Sequence, residues 1–292
     1  MLKVKFEFPG IDPDLNWTLT NEEVYNEFFW YLDHPKGELT LRCNRNKIVK
    51  LFQQDTFYRK EKELWRDDKI KKKLILNRMK YLDKKPEELT TYDILSGFKK
   101  SAIWYGYSGF NPQLCKWFYQ WVEDNVGISM KDQVCYDPCG GWGNRMLGST
   151  EIKKYIYNDL SYGTFDGVKR MKDVFEFFNA ELHNKDARTF IPDDQYNVIF
   201  TCPPYYNLEE YECGGFRDMD DFRGFMNSLY DKYLNKDSCM VFGIVMREDF
   251  MTLLDPDYKF ELSNNRAVHL NGETEHQNKE YLYIWIKKGT TK

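Results

Sequence analysis

Residues 134–144 read Val-Cys-Tyr-Asp-Pro-Cys-Gly-Gly-Trp-Gly-Asn. Strand-forming Val134-Cys135-Tyr136 run into an acid, a proline and three glycines, and a helix is expected from about Asn144. Glycine lets a backbone turn sharply and approach a ligand closely. A glycine-rich turn between strand and helix is where doubly wound sheets seat nucleotides, but the same turn also serves as a plain connection. The chain after it repeats the unit. KYIYN (154–158) reads as the next strand and FDGVKRMKDVFEFF (165–178) as a helix. A short strand follows from Glu181 to His183, then the strand YNVIFT (196–201). A helix near Asp221 to Tyr233, SCMVFGIV (238–245) and EYLYIWIKK (280–288) complete the series. Strands separated by helices imply a parallel sheet with crossover helices. The expected fold class is therefore α/β, doubly wound, with ligands beyond the carboxyl ends of the strands.

Upstream the pattern differs. Residues 1–100 are expected to form a mainly helical lobe and 101–292 the sheet domain. The lobe opens with a strand, LKVKFEF, ending at Pro9-Gly10, and Thr20 with Glu23 fits a capping box. The segment 44–80 reads as two helices, Pro86 opens a turn and Thr91 starts another helix. From Arg42 to Lys80 there are fourteen Lys/Arg against five Asp/Glu, although the whole chain carries −4. Such a stripe suits phosphate contacts or a solvated helix face.

The 292 residues are 42% apolar, enough for a real core. Aromatics reach 17%, which suits ordinary cores and stacking surfaces alike. No apolar run is long enough to span a membrane, and the N-terminus lacks a signal core. The seven cysteines are scattered, with no C-x-x-C pair, so a zinc site is not expected and a reducing cytoplasm is.

Candidate site residues fall at successive strand tips. Asp137-Pro138-Cys139-Gly140-Gly141-Trp142-Gly143 form the first tip, and Asp159, 22 residues after Asp137, ends the second. A carboxylate there accepts from ribose hydroxyls or caps a helix with Ser161. Asp186 ends the third strand, where it reaches an adenine amino group or stabilises a turn. Thr201-Cys202-Pro203-Pro204-Tyr205 end the fourth. Two prolines stop a strand abruptly, because neither donates to the ladder.

Together DPCGGWGN, YIYNDL, NKDA and TCPPYY resemble the motif series of S-adenosylmethionine-dependent DNA amino-methyltransferases, which methylate adenine N6 or cytosine N4. The resemblance covers roughly residues 104–287 and implies a seven-stranded, Rossmann-like class I methyltransferase sheet. It implies S-adenosylmethionine as methyl donor, held by Asp137, Pro138, Cys139, Gly140, Gly141, Gly143, Asp159, Asp186 and Thr201. Asp137 would stand near the donor's ammonium, Asp159 on its ribose and Asp186 on its adenine. Ser108-Gly109-Phe110-Asn111-Pro112 is similar to the family's upstream segment, which puts Phe110 over the methionine end; a plain turn before a helix is the simpler reading. Catalysis would fall to Cys202, Pro203, Pro204 and Tyr205, with Tyr206 and Tyr211 on the substrate. A conjugated exocyclic amine is a poor nucleophile. In the family the first motif side chain and the next carbonyl, here Cys202 and Pro203, draw its hydrogens aside, and Tyr205 stacks on a flipped base.

This chain departs from the family in two ways. The family carries Asp, Asn or Ser where Cys202 stands, and a thiol is a weak acceptor. Either the Pro203 carbonyl suffices, or a thiolate is supported by a cation not evident in the neighbouring sequence, or the site does something else. Cytosine C5-methyltransferases place their cysteine after the proline, so this arrangement is not theirs. Secondly, only 64 residues separate Asp137 from Thr201, so no recognition domain fits between them. The loop 207–223 holds six acids and two arginines, which disfavours a phosphate grip there. Recognition is then expected from residues 1–100 with their basic stripe, from the loop after Tyr205, from a partner (a second copy of the chain or a recognition subunit), or is slight, with DNA ahead of RNA as substrate and no membrane involved. RNA, a free nucleotide, a modified base, a protein amide, or a catalytically silent nucleic-acid-binding role are the alternatives.

Overall fold

The computed structural model describes residues 11–12, 14, 19, 21–33, 37–41, 47–100, 109–175, 179–206, 214–262, 268–270, 273–275 and 279–287. Tyr211 and residues 207–213 of the acidic loop lie outside the described residues, as do the expected strand LKVKFEF and Thr20 of the expected capping box. The chain divides into two units, one of residues 1–27 and 47–108, the other of 28–46 and 109–292. The division thus differs from a single cut near residue 100, because 28–46 joins the sheet unit.

The first unit is helical where described. The segment expected as two helices is four: Lys47–Phe52, Gln54–Phe57, Arg59–Leu64 and Asp68–Leu82. The last is the longest, because its ends are well stopped. Asp67 caps it, accepting from the amides of Lys69 at 2.7 Å and Ile70 at 3.2 Å, and Asp83 closes it at φ 53°. It packs on helix Thr91–Lys100 through Arg78, whose Nε donates to the Asp93 carbonyl at 2.9 Å. A Cβ on Gly97 would stand 2.4 Å from Arg78 Cδ, so the glycine permits this contact.

The second unit is an α/β sheet of seven strands: β1 Val134–Asp137, β2 Lys154–Asn158, β3 Ala180–His183, β4 Val198–Thr201, β5 Val241–Arg247, β6 Tyr258–Glu261 and β7 Glu280–Ile286. Their order is β3-β2-β1-β4-β5-β7-β6. Neighbours from β3 through β5 are parallel, and β7 runs antiparallel between β5 and β6. The order reverses between β1 and β4, the topology of a doubly wound, Rossmann-like sheet. Central strands β1, β2, β4 and β5 are almost wholly buried, as a sheet covered on both faces requires.

One face of the sheet carries helix Pro112–Val126, with Asn111 as N-cap, Pro112 at its first position and Gly127 at φ 76° as its stop. Phe118 from this helix stacks on Phe200 of β4 at 4.2 Å. Gly243 in mid-β5 makes room, since a Cβ there would lie 2.6 Å from the Phe118 ring. The other face carries helix Met219–Leu234, whose Phe222, Met226, Leu229 and Tyr233 join Tyr136, Ile199 and Phe242 in the main core. The helix expected from Asn144 is only the single turn Asn144–Leu147. Strand β6 and a ribbon of Val268–Leu270 with Glu273–Glu275 were not expected.

Candidate functional site

Strands β1 to β4 are parallel, so Asp137, Asp159, Asp186 and Cys202 all come to the carboxyl edge of one sheet. The switch point between β1 and β4 lies on that edge, where open α/β sheets form their ligand crevice.

An inner layer of polar groups holds the edge together. Asp137 is fully buried. Its Oδ1 accepts from the Thr201 hydroxyl at 2.8 Å and the Cys139 amide at 3.2 Å. Its Oδ2 accepts from Arg145 Nε at 2.6 Å and from the Tyr155 hydroxyl. Arg145 Nη2 also donates to the Cys139 carbonyl, and the guanidinium lies 4.9 Å from the Phe110 ring centre. Burial pulls the Arg145 pKa down, yet Asp137, with Tyr155 and Cys202 in electrostatic range, holds it well above its ordinary value. Arg145 is thus a permanent cation. The expected place of Asp137 beside a ligand's ammonium does not fit this geometry, because both oxygens are spent on protein donors. Thr201 is likewise buried and spent on Asp137.

The outer layer is the glycine turn and the second strand tip. Gly140 N donates to the Asn158 carbonyl at 2.7 Å, and Gly141 N to Asp159 Oδ2 at 2.9 Å. The Tyr157 hydroxyl donates to the Gly141 carbonyl at 2.7 Å. A Cβ on Gly140 would lie 2.1 Å from the Tyr157 ring, and Gly141 and Gly143 stand at φ 56° and 87°. Asn158, fully buried, clasps the Pro138 and Lys185 carbonyls at 3.0 Å each, tying the turn to the third tip. Asp159 is half-buried, and its Oδ1 accepts from Ser161 N at 2.9 Å. Burial pushes its carboxyl above the ordinary value against the pull of those two amides, and Asp137 adds to the rise. Ser161, not Asp159, caps the following helix.

Asp186 is committed differently. Both its oxygens meet Arg188, through Nε at 3.1 and 3.0 Å and Nη2 at 2.9 Å. The Arg188 fork holds its carboxyl below the ordinary value. Arg188 reaches on to Asp221 at 3.5 Å.

Beyond β4, Cys202 is half-buried, Pro203 buried and Pro204 half-buried. The Tyr205 hydroxyl donates to Glu280 Oε1 at 2.7 Å, and its ring stacks on Phe250 at 5.9 Å and 13°. Tyr206 leans on Phe222 at 6.1 Å. Phe110 is half-buried and meets Phe200 edge-on at 6.0 Å. Asn111 Oδ1 accepts from Gln113 N at 3.1 Å, so this segment caps a helix.

Sequence reasoning missed Arg145, Asn158, Phe250 and Glu280. Only Arg145 carried a signal: a cation two residues past the last glycine of the turn, within reach back to the strand that precedes it.

The residues fit a nucleoside-bearing cofactor. Nothing stands within 4 Å of a Cβ built on Gly141, so the turn's outer surface is open. Asn144, 3% exposed, has an amide nitrogen with no partner among the described residues. Asp159 keeps a lone pair on each oxygen.

No family model and no curated protein matches the chain. Among solved structures, it is similar to a class I S-adenosylmethionine-dependent methyltransferase of Listeria monocytogenes at 11% identity and TM-score 0.47, over 91% of this chain and 88% of that one. It is similar to the human METTL16 methyltransferase domain at 11% and 0.41, over 58% and 66%. A methylase of Haemophilus influenzae, HI0767, overlaps at 15% and 0.38, over 58% and 94%. All three overlaps are loose; the architecture rests on the strand order and pairing of this chain itself.

Proposed function

We propose that this protein transfers a methyl group from S-adenosylmethionine to the exocyclic amine of a nucleobase, adenine N6 or cytosine N4, in DNA. One observation carries the reading. The glycine turn and the Cys-Pro-Pro-Tyr segment flank the same switch point and are joined through Asp137, which meets both the Cys139 amide and the Thr201 hydroxyl.

When bound, S-adenosylmethionine supplies an electrophilic methyl on a sulfonium. The turn 138–143 lines its methionine end, with the Asn144 amide as a spare donor and Phe110 as a wall. Asp159 accepts from ribose hydroxyls, and Asp186 takes the adenine side once its fork to Arg188 loosens. Asp137 and Thr201, buried and bonded to each other, position the turn.

Across the switch point, the Pro203 carbonyl would accept a hydrogen bond from the target amine; as the N–C bond forms and the donor's S–C bond breaks, the amine releases one proton to solvent. Proline rings fix φ at positions 203 and 204, so the carbonyl's direction is set before substrate arrives. The Cys202 sulfur is the second acceptor. Tyr205, braced by Phe250 and Glu280, offers its ring to the base.

The test combines calorimetric titration with S-adenosylmethionine and transfer of tritiated methyl to duplex DNA, followed by mass spectrometry of the nucleosides. N6-methyladenine or N4-methylcytosine, absent with Tyr205→Ala, is the expected result. Label in DNA no higher than that variant's, despite cofactor binding, would overturn the choice of acceptor.

A further inference from the structure

Helix Asp68–Leu82 has two unlike faces. Leu74, Ile75 and Arg78 are buried, and Arg78 is locked to helix Thr91–Lys100 through the Asp93 carbonyl and the Ser96 hydroxyl. Lys69, Lys72, Lys73 and Lys80 are exposed on the opposite side. At 100° per residue these four fall within about a third of the helix circumference. None of their ammonium groups meets an acid or any hydrogen-bond acceptor among the described residues. Several lysines elsewhere are paired: Lys60 with Glu63, Lys62 with Asp55, Lys84 with Asp93, Lys154 with Glu181 and Asp194. Four uncompensated cations on one rigid face, in a chain of net charge −4, call for an anionic partner.

We infer that this lysine face is a docking surface for the sugar-phosphate backbone of duplex DNA. The DNA partner is taken from the function proposed above; the face itself is not part of that site. From Lys69 to Lys80 the stripe runs about 16 Å, at 1.5 Å per residue. That length lies beside roughly five phosphates of one strand at 3.4 Å each. Lysine ammonium groups serve as point charges for phosphate and read no bases, so the contact is sequence-independent. A membrane surface fits less well: an interfacial helix needs an apolar face, and here Leu76 and Tyr81 are the only large apolar side chains exposed on this helix.

The test uses the full chain, a fluorescent 25-base-pair duplex and anisotropy titrations from 50 to 200 mM salt. The quadruple variant K69Q/K72Q/K73Q/K80Q should bind at least tenfold more weakly at 50 mM. Its slope of log K against log salt should be shallower by about 3 to 4, close to 0.9 per lost phosphate contact. The control K131Q/K153Q, also exposed lysines, should match the parent. A quadruple variant that binds duplex like the parent overturns the inference, as does a loss confined to RNA or to vesicles of anionic lipid. Titration with S-adenosylmethionine separates the two proposals. Failure of the parent to bind cofactor, with the lysine effect intact, sinks the methyl-transfer reading alone; normal cofactor binding without a lysine effect sinks the docking surface alone.

Discussion

Asp137 and Asp159 stand at the tips of adjacent parallel strands, yet one is fully buried and the other only half-buried. Asp137 has Arg145, Tyr155, Thr201 and the Cys139 amide around it and no exposure. Asp159 meets two amides and remains half-buried with room to accept more. The difference lies in what each tip faces. Asp137 ends β1 and is gripped by Arg145 of the single-turn helix Asn144–Leu147, whereas Asp159 follows the end of β2 beside the glycine turn. An acid at a strand tip is therefore a ligand group only if no cation of the protein's own claims it.

The harshest way to break this comparison is to remove that cation. Arg145→Met leaves a carboxylate buried and unpaired, which costs about 3–5 kcal/mol. The denaturation midpoint should fall accordingly, and D137L/R145M should recover most of the loss. Should Arg145→Met leave stability intact and abolish cofactor binding alone, Asp137 would be a ligand group after all.

Asp159→Ala should do the reverse. Losing hydrogen bonds from a charged acceptor to ribose costs about 1.5–3 kcal/mol of cofactor affinity, or roughly ten- to a hundredfold by calorimetry. Folding stability should barely change at neutral pH. The sign follows from the raised carboxyl pKa: the folded state holds its proton more tightly than the unfolded chain. Stability from this group is present below the unfolded value and is lost as pH rises through the folded one. Asp159→Asn, which cannot titrate, should flatten that part of the pH–stability curve.

How far this contrast could be read beforehand varies along the chain. KYIYN matches β2 end to end, because a strand buried on both faces needs an unbroken apolar run between polar ends. The tips Asp137, Asp159 and Cys202 follow from strand order. β6 escaped notice because Tyr258–Glu261 lies at the sheet edge with three of its four residues exposed, so burial leaves no period in it. The fate of Asp137 was hidden for a different reason: the Arg145 fork, the Tyr155 hydroxyl and Thr201 meet only after three segments converge. The basic segment misled on helix number because its breaks, at Gln53, Tyr58 and Trp65 to Asp67, contain neither glycine nor proline.

The glycine turn sharpens the comparison at smaller scale. Gly140→Ala sets a methyl 2.1 Å from Tyr157, whose hydroxyl holds Gly141, and should cost about 1–3 kcal/mol by overpacking. Gly141→Ala meets no neighbour and suffers only its left-handed backbone, about 1 kcal/mol. Thermal unfolding of the two variants should rank them in that order. The opposite ranking would mean that the turn is not packed against β2.

Asp186 is the intermediate case, and its effect is the smallest. It is partly exposed like Asp159 but claimed by an arginine like Asp137, with side-chain exposures of 34% for the acid and 45% for Arg188. Arg188 holds the carboxyl below its ordinary value, so the stabilisation is present above the unfolded value and is lost as pH falls through the folded one. Solvent screening limits it to about 0.5–1 kcal/mol. Arg188→Gln should lower stability by that amount at neutral pH, with the gap closing in strong acid and in 1 M salt. The same variant frees Asp186 to accept from an adenine amino group, so S-adenosylmethionine should bind it as well as the parent or more tightly. If affinity instead falls, Arg188 itself holds the ligand, and the rule drawn from Asp137 stops at the third strand.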